Sequence, residues 1–188
     1  MEATASRSDR EKLASEIARV ALLRGTFTLR SGRTSSYYLD KYLFSTRPEV
    51  LKPLADLFAV EIAGVASRLG VRVDRLAGAE LGGIPLVTAA SMKTGLPCVF
   101  VRNQKKDYGT AKRLEGVLNA GEAVVIVEDV ATTGGQALEA AGVIRESGAR
   151  AVAIIATIDR QEGAREAIER AGIAFSALFT KADLGIHE

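Results

Sequence analysis

The stretch VVIVEDVATTGGQ, residues 124–136, decides how this chain is read. Its opening aliphatic run is too short for a helix and suits a strand buried on both faces. Two carboxylates, Glu128 and Asp129, close that run, and Val130, Ala131, Thr132, Thr133, Gly134, Gly135 and Gln136 follow as the opening of a helix. Unpaired backbone N–H groups and the helix dipole at such a start favour a phosphate, and glycines let the anion come close. The two carboxylates do not help a phosphate, but they are placed to accept hydrogen bonds from hydroxyls one sugar ring away. A ribose phosphate satisfies both ends. An ordinary strand-to-helix turn with solvated carboxylates has the same outline, whereas the nucleotide fingerprints GxxxxGK[ST] and GxGxxG are both absent.

Working outward, the alternation repeats. Apolar runs at 75–79, 97–102, 151–158 and 174–180 suit buried strands, and helical patterns at 84–93, 136–147 and 162–171 fill most of the gaps. Gly148 and Gly172 stand where the last two helices need C-terminal caps. This order predicts an α/β fold with a mostly parallel sheet flanked by helices. Upstream, Ser8-Asp-Arg-Glu11 reads as a capping box, followed by Leu13, Ile17, Val20 and Ala21 at helical spacing in a helix ending near Gly25. Thr46-Arg-Pro-Glu49 reads as a second box, and Val50, Leu54, Leu57, Phe58, Ile62, Val65 and Leu69 carry an apolar stripe to about Gly70. Segment 103–121, lysine-rich at its start, shows neither period, and a loop of that length is expected to be functional or mobile.

Composition sets the outer bounds. The 188 residues fit one domain, and no repeat, linker or composition shift divides them. Lysine and arginine number 25 against 23 acidic residues, a balance that gives no footprint for nucleic acid. With 47% hydrophobic and 26% charged residues the chain sits in the ordinary globular range. The longest apolar runs fall far short of the roughly 18 residues that read as a membrane span. The mixed-charge start MEATASRSDREK lacks the apolar segment of an export signal, so a cytoplasmic location without membrane contact is expected. Cys98 and His187 are the sole residues of their types, which argues against a disulfide, a His/Cys metal cluster or a serine-histidine triad. Chemistry then falls to carboxylates, Lys, Arg, Tyr and backbone, with no dedicated metal-ligating residue.

The run 124–136 closely resembles the phosphoribosyl pyrophosphate motif of the type I phosphoribosyltransferases. GTFTLRSGRTSSYYLD at 25–40 and DRQEG at 159–163 are similar to one branch, the orotate phosphoribosyltransferases, and the similarity spans nearly the whole chain. The resemblance implies the type I fold in one domain, 1–188, with 1–45 forming an N-terminal helix and a hood over the base. It implies transfer of the phosphoribosyl group from 5-phosphoribosyl 1-pyrophosphate (PRPP) to orotate in pyrimidine biosynthesis, with Mg²⁺ as cofactor. By it, residues 128–136 bind PRPP, while Thr132, Arg160, Arg30, Tyr37 and Tyr38 bind orotate. AELGGIPL at 79–86, with Glu80, Gly82 and Gly83, is the pyrophosphate loop, and Gly82 stands where some members carry lysine. VRNQKKDYGT at 101–110 resembles the catalytic loop, with Arg102, Lys106 and Tyr108 on pyrophosphate-contacting positions and Asp107 as a candidate proton relay. Asn103 replaces a basic residue of many relatives, with Lys105 the nearest substitute, and Tyr108 replaces a histidine of some bacterial ones. A homodimer is implied, with the 102–116 loop acting across its interface. Apart from the resemblance, an arginine fork suits orotate, a planar carboxylate.

Two other readings stay open. A transferase for a purine or another pyrimidine shares the phosphate loop, although segment 27–38 and Arg160 favour orotate. A non-catalytic regulator that senses PRPP keeps the same fold, and the intact basic loop and lack of a DNA-binding appendage speak against it.

Overall fold

The structure is a computed structural model, which describes residues 7–28, 32, 34–103 and 113–187. The run that opens the argument is strand β6, Ala123–Ala131, at the middle of a six-stranded sheet. The sheet also contains β3 (Arg75–Ala79), β4 (Cys98–Val101), β5 (Leu114–Glu115), β7 (Arg150–Asp159) and β8 (Ala174–Thr180). Its order is β5-β4-β3-β6-β7-β8, and every pairing is parallel except β4 with β5.

Why these runs are apolar throughout is visible in the pleat. Val125 and Val127 of β6 and Ile155 of β7 face one core, against helices α1 (Arg7–Ala21), α3 (Pro48–Leu69) and α4 (Gly83–Thr94). Val124, Ile126 and Ile154 face the other, against α5 (Gly135–Glu146) and α6 (Ala164–Arg170). Successive side chains alternate faces, so a strand covered on both sides needs no polar position. Each valine or isoleucine buried this way stabilises the fold by about 1.5–3 kcal/mol relative to exposure. Gly148 and Gly172 lie just beyond α5 and α6 with φ of 85° and 76°, as their C-terminal role requires.

Several local expectations change. The first helix ends at Ala21, before Gly25, with Ser8 inside it. Residues 22–39 form an antiparallel hairpin, β1 (Leu22–Thr28) with β2 (Thr34–Leu39), closed on the helix by Asp40 N donating to Ala21 O at 2.9 Å. A short helix α2, Lys41–Ser45, follows, and Asp40 caps it by accepting from Tyr42 N. Thr46 does not cap α3: its hydroxyl donates to Tyr42 O at 2.6 Å, and Arg47 holds the cap position without a side-chain bond. Pro48 does open α3 as expected. Within the stripe of α3, Leu69 is exposed. The last helix begins at Ala164, two residues late, and segment 103–121 contains β5, recruited by the edge of β4.

Chain order reverses between β3 and β6, so the loops leaving their C-terminal ends diverge and leave a crevice, the usual ligand position in an open α/β sheet. Strand β3 pairs with β6 only as far as Gly78 opposite Val127, whereas β6 stays paired with β7 to Ala131. No helix among the described residues is long and apolar enough to cross a membrane.

Candidate active site

Glu128 and Asp129 lie within β6 rather than beyond it, on the stretch that β3 no longer covers. They are not solvated: the two residues are 3% and 2% exposed. Burial and the neighbouring Asp129 charge push the Glu128 carboxyl well above the usual carboxylate range. Its Oε2 is buried without a hydrogen-bond partner among the described residues. Asp129 is held on both oxygens, Oδ1 by its neighbour Val130 N at 2.5 Å and Oδ2 by Lys41 Nζ at 2.8 Å. Burial alone would lower the Lys41 ammonium, but the facing Asp129 outweighs it and raises the group above its ordinary value.

Beyond the pair, Val130 to Ala137 and Glu128 line a hollow of about 290 Å³ that opens to solvent. Gly134 caps α5 in the left-handed region at φ 80°, and a Cβ there would sit 3.2 Å from Ile168 Cγ1. Glycine is required both for that turn and for the approach of α6. The cap has no side-chain hydrogen bond, so the first N–H groups of α5 remain open toward the hollow.

The loop after β3 forms the opposite wall. A side chain at Gly82 would overlap the Asp129 carboxylate, and one at Gly78 would lie 2.6 Å from Gly83 O and from Val87 Cγ1. Small residues here bring the start of α4 directly onto β3 and β6. A lysine at 82 cannot fit beside this Asp129, and Lys41 supplies a cation to the same carboxylate. Glu80 ties the walls together: its carbonyl accepts from Gln136 Nε2 at 3.0 Å and Asn103 Nδ2 at 3.2 Å, and its Oε1 accepts from Asn103 N at 2.7 Å. Asn103 thus fastens the root of the basic loop.

Arg102 stands at that root, with Nη1 3.7 Å from Glu115 Oε1 and a buried Nε that has no hydrogen-bond partner among the described residues. Arg113 braces the other end, donating to Arg102 O and Asn103 O at 3.2 Å each and to Glu139 Oε1 at 2.6 Å. Lys105, Lys106, Asp107 and Tyr108 lie outside the described residues, as does Arg30.

Across β7, Arg160 N donates to Ala131 O at 2.9 Å, which places this residue beside the phosphate loop and Thr132. Arg160 Nη2 donates to Tyr37 Oη at 3.0 Å and pairs with Glu162 Oε1 at 2.8 Å, while its Nε is buried with no partner among the described residues. The hairpin therefore delivers Tyr37 to the arginine. Tyr38 is not brought to it: neighbouring strand residues face opposite ways, and Tyr38 is exposed against the Phe27 ring at 5.7 Å. Among the described residues no three His, Cys, Asp or Glu side chains cluster as a metal site.

Sequence reasoning missed Lys41 and the linking role of Asn103. Both find partners distant in the chain, and no local spacing marks them.

No protein-family model matches the chain. It is 45% identical over 160 residues to an orotate phosphoribosyltransferase of Halobacterium salinarum and 44% identical over 160 residues to that of Natronomonas pharaonis, covering 85% of this chain and 87% of each relative. The orotate phosphoribosyltransferase of Mycobacterium tuberculosis, solved in complex with 5-phospho-alpha-D-ribosyl 1-diphosphate, superposes with a TM-score of 0.76 at 30% identity, covering 95% of this chain and 99% of that one. With the acidic pair, the glycine-capped phosphate loop and the Arg160–Tyr37 corner gathered at one crevice, this chain belongs to the orotate phosphoribosyltransferases.

Proposed function

We propose that this chain transfers the phosphoribosyl group of PRPP to orotate, giving orotidine 5'-phosphate and pyrophosphate, in pyrimidine biosynthesis. The observation that carries the reading is a set of buried polar atoms around one crevice that have no hydrogen-bond partner among the described residues: Glu128 Oε2, Arg160 Nε and Arg102 Nε. Buried polar groups are nearly always paired, and three left open at the acidic pair, the base corner and the loop root await a ligand.

In this reading the 5-phosphate sits on the N–H groups and hydroxyls of Thr132 to Gly135 at the start of α5. Asp129, held by Lys41, accepts from one ribose hydroxyl. Glu128, whose carboxyl burial pushes above the usual carboxylate range, faces the other. Arg160 directs its guanidinium at the orotate carboxylate, backed by Tyr37. The orotate nitrogen forms a bond to C1 of the ribose as the bond from C1 to the pyrophosphate oxygen breaks, so positive character builds on the sugar and negative charge on the leaving group. Backbone at 80–83 and the side chains of Arg102, Lys106 and Tyr108 neutralise that charge, with Asp107 a proton relay. Closure of the basic loop excludes water that would hydrolyse the activated sugar.

Mg²⁺ keeps several waters and binds substrate phosphates, so in this reading the ion arrives on PRPP. The ion would face Glu128 and Asp129 through ribose hydroxyls and water, and it would supply charge neutralisation of the pyrophosphate. We further propose a cytoplasmic homodimer, one domain per chain, in which residues 1–45 form the hood and the 102–116 loop acts across the interface.

The test follows orotate absorbance with purified protein, PRPP and Mg²⁺, omitting each component and adding purine bases. Orotate loss matched by pyrophosphate release is expected. Turnover of a purine instead, or PRPP binding without turnover, overturns the reading in favour of another base or a sensor.

A further inference from the structure

Lys41 opens α2 at the foot of the hairpin. Its Nζ lies 2.8 Å from Asp129 Oδ2, with side-chain exposures of 28% for the lysine and 2% for the aspartate. The nearest ring is Tyr42, its centroid 5.6 Å from the ammonium. On the opposite side, the Asp129 carboxylate fills the space that a side chain at Gly82 would need. The carboxylate is therefore bounded by three elements: its own strand, where Val130 N reaches Oδ1, the backbone of the 80–83 loop, and α2.

We propose that Lys41 is a positioning residue for the sugar: by pinning Asp129 Oδ2 it keeps a correctly turned acceptor in place for a ribose hydroxyl, and so sets the affinity for PRPP. The inference rests on Asp129 being a ribose-hydroxyl acceptor. A carboxylate this deeply buried, deprived of its cation, either takes up a proton or swings toward water, and both outcomes spoil a fixed acceptor. The neighbouring Val130 N–H alone cannot hold it, since one neutral hydrogen bond replaces a charge-assisted pair. Lys41 belongs to the segment that follows strand β2, so this contact joins the foot of the hairpin to the acidic pair.

The experiment compares wild type, Lys41→Met and Lys41→Arg in the full-length protein with Mg²⁺. It measures KM and kcat for PRPP and orotate, calorimetric PRPP binding, and the unfolding midpoint. For Lys41→Met we expect the PRPP KM and Kd to rise roughly tenfold or more, the loss of one charge-assisted contact. The orotate KM should stay at its wild-type value, and Lys41→Arg should recover most of the PRPP affinity. Asp129→Asn should cost at least as much as Lys41→Met, because it removes both the ion pair and the charged acceptor, and the double variant should lose little more than Asp129→Asn alone. Unchanged PRPP constants in Lys41→Met overturn the proposal. So does an equal rise in both substrate constants with a lowered midpoint, which marks a merely structural lysine. If wild-type protein itself binds no PRPP, the functional reading fails instead, and the two failures are distinguished.

Discussion

Gly82→Ala tests the packing of the crevice most directly. The added methyl would overlap Asp129 Oδ2 and stand 2.7 Å from its Cγ and 3.3 Å from its Cβ. Carbon atoms pack best at about 3.5–4.0 Å, so the carboxylate must retreat by about 1 Å or the 80–83 loop must lift. Neither is free. Asp129 is anchored by Val130 N at 2.5 Å and by Lys41 at 2.8 Å, and the loop is anchored through Glu80 to Asn103 and Gln136. Breaking a buried ion pair costs about 3–5 kcal/mol. At 1.36 kcal/mol per tenfold, the lower end of that range alone corresponds to about 10²-fold in kcat/KM for PRPP. Initial rates at saturating orotate and varied PRPP, beside thermal unfolding of the same preparation, measure it. A folded Gly82→Ala protein with wild-type kcat/KM for PRPP would refute the close approach of loop and carboxylate.

Two further predictions follow from other parts of the molecule. Arg160→Ala should weaken orotate binding while leaving PRPP affinity near wild type, measured by calorimetry with each ligand; equal loss of both removes Arg160 from the base corner. Glu122 is held to a pKa of about 2, from an ordinary 4.5, by Arg75, whose Nε and Nη2 donate to its two oxygens at 2.7 and 2.9 Å. A depressed carboxylate adds stability above its unfolded pKa and loses it as pH falls through the folded one. Glu122→Gln should therefore destabilise by about 1–3 kcal/mol at neutral pH and flatten the acid limb between pH 4.5 and about 2, read by denaturant unfolding. An unchanged acid limb would sink the assignment.

The central strand, its loop and the helix after it were legible because each signal is local: an unbroken apolar run, glycines at a turn, a hydrophobic period. The parallel sheet followed from their alternation. The hairpin was not, because β1 is largely exposed and β2 places just Tyr37 in the core, so neither carries an alternating pattern strong enough to announce a strand. Strand β5 has two residues and exists through its pairing with Phe100 and Val101. At the site, residue types were readable, but burial was not: the carboxylates look solvated in sequence and are interior in the fold. The Thr46 cap failed because its hydroxyl is taken by the turn of α2, an element too short for any period to reveal.

The one-sided pairing of β6 past Val127 separates two tasks in space. Toward β7 lie Arg160 and Tyr37, which in the proposed reaction choose the acceptor; toward β3 and β4 lie Glu80, Gly82, Arg102 and Asn103, which in the same proposal handle the departing half. The strand between them carries the acidic pair proposed to hold the sugar. Such an arrangement is modular: a descendant with a different taste in bases has to rewrite the hairpin and the end of β7, and can inherit its machinery for bond cleavage untouched.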